Sequence, residues 1–145
     1  YLALLPDAES LAALRQFAPT LPADAHLTVI HSKANPRPYA SGLCVAEPLA
    51  LPTWAGSLTL STKSVASFGG RNKIPVLTLD LTAELRAMRE QAEGILREAG
   101  LPWSTGWPFA PHVALCSGRQ KGVMPQRFAL TEWSGDEEVP NSNDR

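Results

Sequence analysis

Residues 1–5, YLALL, form a short apolar run closed by Pro6 and Asp7, the pattern of a buried strand that hands over to a helix start. In residues 7–18, DAESLAALRQFA, the apolar positions Leu11, Leu14 and Phe17 recur near helical spacing; Asp7 or Ser10 can cap the first turn, and PTLP ends the segment. Residues 26–32, HLTVIHS, alternate in side-chain type and are rich in β-branched residues, which predicts a strand. The same order returns later in the chain. IPVLTLDL, 74–81, reads as a strand, and TAELRAMREQAEGILREAG, 82–100, as a helix with Leu85, Met88, Ala92, Ile95, Leu96 and Ala99 on one face. Thr82 can cap its start and Gly100 its end. The loop LPWSTGWPFAP then delivers HVALCSG, 112–118, a second strand opened by a histidine. Duplication of one strand–helix–strand unit is the economical account of this order.

Between the two units, residues 42–52 and 56–70 read as strands separated by prolines and glycines, and QRFALTEWS, 126–134, as a final strand. Residues 135–145, GDEEVPNSNDR, are polar, contain proline and begin acidic; they are expected to be a disordered tail. With 145 residues, 44% of them hydrophobic, the chain can bury one core, so a single domain over 1–134 is expected.

Charge narrows the partners. Thirteen basic residues against fourteen acidic ones give a formal net charge of -1, too balanced for a broad field that would hold a long nucleic acid, but compatible with a small anion in a local pocket. The cysteines, Cys44 and Cys116, are far apart, and with three histidines they make no zinc-like spacing, so neither a metal nor any other cofactor is predicted. Unpaired cysteines suit a reduced, cytoplasmic setting. No apolar run approaches the roughly twenty residues of a membrane span, and no basic stretch precedes an apolar one in the manner of a secretory signal.

The chemistry is expected from the two histidines that open matching strands. Residues two apart share a strand face, so His26, Thr28 and Ile30 look one way while Leu27, Val29 and His31 look the other. The same parity groups His112 with Ala114 and Cys116. If both strands lie in one sheet, His26 and His112 can face each other across a cleft. One imidazole can then take a proton from an attacking water while the other donates to the leaving oxygen of a phosphodiester. A hydroxyl two residues on can bind a phosphoryl oxygen. A single strand histidine is more often a hydrogen-bonded structural residue than a catalyst; it is the pair in matched contexts that points to chemistry. His31, of opposite parity, is expected to be a strand-end residue.

HLTV and PHVAL, preceded by YLALLPD and by a long amphipathic helix before the second motif, resemble the two-histidine (2H) phosphoesterase superfamily, which includes the RNA 2′,3′-cyclic phosphodiesterases once named 2′-5′ RNA ligases. The resemblance spans about Tyr1 to Trp133. It implies an α+β, bilobal fold of two pseudo-symmetric units with a concave antiparallel sheet holding both motifs. It also implies metal-independent attack on a 2′,3′-cyclic or 2′-5′/3′-5′ phosphodiester. Carried over by position, His26 and His112 become the acid–base pair and Thr28 a phosphate ligand. The second motif departs from the pattern: Ala114 stands where the superfamily has threonine or serine, which removes a hydrogen bond to a charged oxygen worth roughly 1.5–3 kcal/mol. Some phage-encoded members degrade cyclic-nucleotide defence signals, and this chain is similar to them in size.

Substitutes for the missing donor are sought in Ser117, just past the second strand, and in Arg119 and Lys121. Cys116 is expected on the face of His112, though a thiol is a poor donor to phosphate and a buried cysteine usually serves as a small apolar residue. In GGRNK, Arg71 and Lys73 can meet phosphate, or simply be solvated at a turn. Trp107, with Trp103 and Phe109, can stack on a nucleobase or close the core against the long helix. Tyr39 and Trp54 can line the cleft or pack as a lid or hairpin. Three functions are compatible with these residues. One is an enzyme acting on a small cyclic or linear nucleotide. The second is a module that sequesters such a nucleotide on a degenerate site, and the third a structural domain in which both histidines are incidental.

Overall fold

A computed structural model describes residues 1–32, 51–52, 54, 56–69, 73–103, 108–116 and 118–135. Within them the protein is α+β, with six strands and two helices. The strands are β1 (Leu2–Pro6), β2 (Leu27–Ile30), β3 (Leu58–Phe68), β4 (Ile74–Leu79), β5 (His112–Ala114) and β6 (Arg127–Gly135). Helix α1 (Ala8–Phe17) follows β1, and α2 (Ala83–Glu98) follows β4.

Both helices begin where a polar side chain caps them, and α2 ends at a glycine. The Ser10 N–H donates to the Asp7 carboxylate at 2.7 Å, so Asp7 and not Ser10 caps α1. The Leu85 N–H donates to the Thr82 hydroxyl at 3.1 Å at the start of α2. At its far end Gly100 takes φ +72°, a left-handed turn that costs glycine little, and the Leu101 N–H closes back on the Leu96 carbonyl at 2.9 Å.

The strands run β1-β2-β5-β4-β3-β6 and close into a barrel, every neighbour antiparallel. β1–α1–β2 and β4–α2–β5 are two equivalent units that meet along β2 and β5. β6 flanks the first unit and β3 the second. Closure was not part of the expected concave sheet, and it follows from the length of β3. The first part of that strand, Leu58 to Ser61, pairs with β6, and the part from Thr62 to Phe68 pairs with β4.

Leu2, Leu4, Leu27, Leu60, Leu77, Val113, Phe128 and Leu130 from the strands share one buried cluster with Leu14 and Phe17 of α1 and Leu85 and Leu96 of α2. The histidine positions therefore fall on the opposite strand face. On β2 the alternation breaks at a register shift against β1. Ala3 pairs with Thr28 and Leu2 with Ile30, so a β-bulge leaves Val29 without a partner on β1. Val29 and Ile30 are consequently both buried, each 1% exposed. The bulge also reverses the parity expected of His31: its ring comes to 6.2 Å from that of Tyr1, which stacks on His26 as well.

Several boundaries differ from those expected. The second histidine strand stops at Ala114, because Cys116 adopts φ +67° and takes the backbone out of extended geometry. Cys116 is accordingly an exposed thiol, not a buried one on the face of His112. Gly135, assigned to the tail, belongs to β6 and pairs with Leu2. Of the strand expected over 42–52, residues 42–50 lie outside the described residues, while Leu51 and Pro52 are not in a strand. The rest of the expected tail, 136–145, also lies outside them.

Leu27 is fully buried at the junction of the two units, 0% exposed. Leu27→Ala is expected to lower unfolding free energy by about 2–5 kcal/mol in urea denaturation with little change in the slope.

Candidate functional site

β2 and β5 register through Leu27 and Val113. Antiparallel geometry then sets Thr28 across from His112, and His26 across from Ala114. On the other side of β5, His112 pairs with Thr78 and Ala114 with Val76. The four motif positions thus form the corners of one patch on the face away from the core. His26, Thr28 and His112 are half-buried and Ala114 is exposed.

The two imidazoles are held in the same way. Nδ1 of His26 lies 2.8 Å from the Asp24 carbonyl, and Nδ1 of His112 lies 2.8 Å from the Ala110 carbonyl, in each case two residues upstream. A carbonyl can only accept, so each Nδ1 carries a hydrogen and each Nε2 is left for chemistry: an acceptor when the ring is neutral, a donor when it is protonated. An aromatic ring braces each imidazole. Tyr1 stacks on His26 with ring centroids 5.1 Å apart and planes at 11°, and Phe68 meets His112 at 4.6 Å and 65°.

His26, Thr28, His112 and Ala114 line one open cleft of about 80 Å³, together with Pro22, Asp24 and Ala25 from the turn ahead of His26. The cleft is open to solvent on one side and has room for water or a small oxyanion beside the histidines. A larger ligand would place one group in the cleft and lay the rest over the open surface. Ser64 and Thr78 continue the hydroxyl row beyond His112, but they are engaged with each other: their hydroxyl oxygens are 3.0 Å apart and Thr78 donates to the Ser64 carbonyl at 3.0 Å.

Lys73 is exposed just ahead of β4 and does not line the cleft. Arg71, Ser117, Tyr39 and Trp107 lie outside the described residues. Arg119 and Lys121 are exposed. Their segment is fastened to the end of α1 through Gly118 N–H to the Thr20 hydroxyl, 3.1 Å, and Lys121 N–H to the Phe17 carbonyl, 2.7 Å. Trp103 and Phe109 are taken up by α2, where Arg97 and Arg89 sit over their rings at 5.5 and 5.2 Å. Trp54 lines a separate groove of about 350 Å³ with Met88 and Trp133.

Sequence reasoning missed Tyr1 and Phe68 as ring partners and Asp24 as part of the cleft. It also missed the two carbonyls that orient the histidines, for which side-chain patterning carries no signal, since every residue has a carbonyl. Among the described residues no three His, Cys, Asp or Glu side chains are arranged to hold a metal ion, and no helix is long and apolar enough to cross a membrane. The chain matches no protein-family model, and comparison with curated proteins finds no relative.

The hydrogen bonds specify one tautomer for both rings. Nitrogen-15 NMR of the neutral imidazoles is expected to show Nδ1–H and bare Nε2 at His26 and His112 alike; an Nε2–H tautomer at either position would contradict this geometry.

Proposed function

We propose that the chain is a metal-independent phosphodiesterase with a bilobal, 2H phosphoesterase-like fold, acting on a small cyclic or 2′-5′/3′-5′-linked nucleotide. The observation that carries this reading is the pair of equivalently oriented histidines lining one open cleft, each with Nδ1 tied to the backbone and Nε2 left for proton transfer.

That arrangement supports displacement by water at phosphorus. The substrate phosphate occupies the cleft, with the Thr28 hydroxyl donating to a non-bridging oxygen. One imidazole, neutral, takes a proton at Nε2 from the attacking water as the new P–O bond forms. The other, protonated, releases its Nε2 proton to the leaving oxygen as the old P–O bond breaks. The products are an alcohol and a phosphomonoester, and the two rings regain their starting states by proton exchange with solvent. The backbone bonds at Nδ1 keep both rings in position throughout, so little reorganisation is required as charge moves.

A second reading is favoured by one residue. Ala114 leaves the corner opposite His26 without a hydroxyl, which suits a module that sequesters a nucleotide without cleaving it. A panel of cyclic dinucleotides, 2′,3′-cyclic nucleotides and linear 2′-5′ and 3′-5′ dinucleotides, incubated with EDTA and resolved by chromatography, separates the two. Phosphomonoester product from at least one substrate in EDTA is expected. Tight binding with no product would favour sequestration. Turnover lost on chelation and restored by a divalent ion would overturn the proposal.

A further inference from the structure

Arg89, on α2, touches segments from both halves of the cleft. Its side chain is only 19% exposed. Nη1 donates to the Val29 carbonyl at 2.7 Å, Nε donates to Glu93 at 3.2 Å, and the guanidinium carbon lies 5.2 Å from the centre of the Phe109 ring. Val29 is the residue that the bulge leaves without a partner on β1, and it directly follows Thr28. Phe109 enters the second motif three positions ahead of His112. A bulged residue in a buried setting needs a donor for its carbonyl, and a guanidinium supplies a charge-assisted one in fixed geometry.

A brace is needed at this place. β2 and β5 register through the pair Leu27 and Val113, and beyond it the two halves are joined by an isolated bridge between Ser32 and Trp103, so few backbone pairs fix their relative angle. We infer that Arg89 is a positioning residue: anchored by Glu93, it locks the bulge that aims Thr28 and His26, holds the segment that delivers His112, and so sets the spacing of the two imidazoles. As a statement about catalysis this rests on the phosphodiesterase reading; as a statement about geometry it does not.

Arg89→Met keeps an unbranched helix-forming side chain and removes the donors and the charge. It is expected to lower kcat on the order of 100-fold, the loss that a misplacement of reacting groups by about 1 Å can cause, with KM little changed. It should also shift the imidazole NMR correlations of both His26 and His112 in the folded protein. Arg89→Lys, which can still donate to Val29, should recover part of both. Arg97→Met, which removes the equivalent cation over Trp103, should leave both histidines unmoved.

If wild type turns over nothing in the nucleotide panel, the resonances decide alone: shifts at both histidines support the inference even though the catalytic reading has failed. If Arg89→Met does not fold, Glu93→Gln, which frees the guanidinium without removing it, should move the same resonances in the same direction by less. The inference is overturned if the resonances stay in place in a folded Arg89→Met or Glu93→Gln protein, or if Arg97→Met moves them as far.

Discussion

The site depends on the contact between Leu27 and Val113. Both side chains are 0% exposed, and they bring together the two strand–helix–strand units that lie far apart in sequence. Burying them fixes which face of β2 and β5 meets the core. Strand alternation then sends their neighbours, His26 and Thr28 on one strand, His112 and Ala114 on the other, to the opposite face. A slip of one residue would turn every one of these side chains inward, so the hydrophobic pair is also the registration mark of the polar one.

The histidines cost the fold little. Each satisfies its Nδ1 on a carbonyl of its own chain two residues back, so no buried carboxylate is needed to orient it and no second charge has to be desolvated. Aromatic rings supply the remaining restraint, Tyr1 on one imidazole and Phe68 on the other. The result is a pair of imidazoles whose orientation comes from backbone and aromatic contacts, on the wall of one open cleft. Thr28 brings a hydroxyl to that cleft, and the corner at Ala114 brings none. The cleft is thus symmetric in its imidazoles and asymmetric in its hydroxyls.

Much of this was legible in the sequence, and the rest was hidden for physical reasons. Helix ends were readable because Asp7, Thr82 and Gly100 act locally on the next few backbone groups. The gathering of His26, Thr28, His112 and Ala114 was readable because strand parity and duplication both pointed to it. The bulge at Val29 was not, since VI is an ordinary continuation of a strand and the extra residue is set by pairing with β1. It reversed the face of His31 and created the carbonyl that Arg89 serves, so Arg89 looked like any polar position on an amphipathic helix. The early end of β5 was hidden because nothing marks Cys116, a residue with a Cβ, for a left-handed backbone. Closure of the barrel was hidden because one long run, residues 58–68, divides its hydrogen bonds between two partners.

Whether the two imidazoles work as one unit is decided by comparing kcat/KM for His26→Ala, His112→Ala and the double variant on the best substrate. An acid–base pair that moves two protons in one displacement loses nearly all its advantage when either member is gone. Each single variant should therefore be deeply impaired, and the double variant little worse than either. Two modest losses that multiply in the double variant, or near-normal turnover in either single one, would contradict the paired-histidine account.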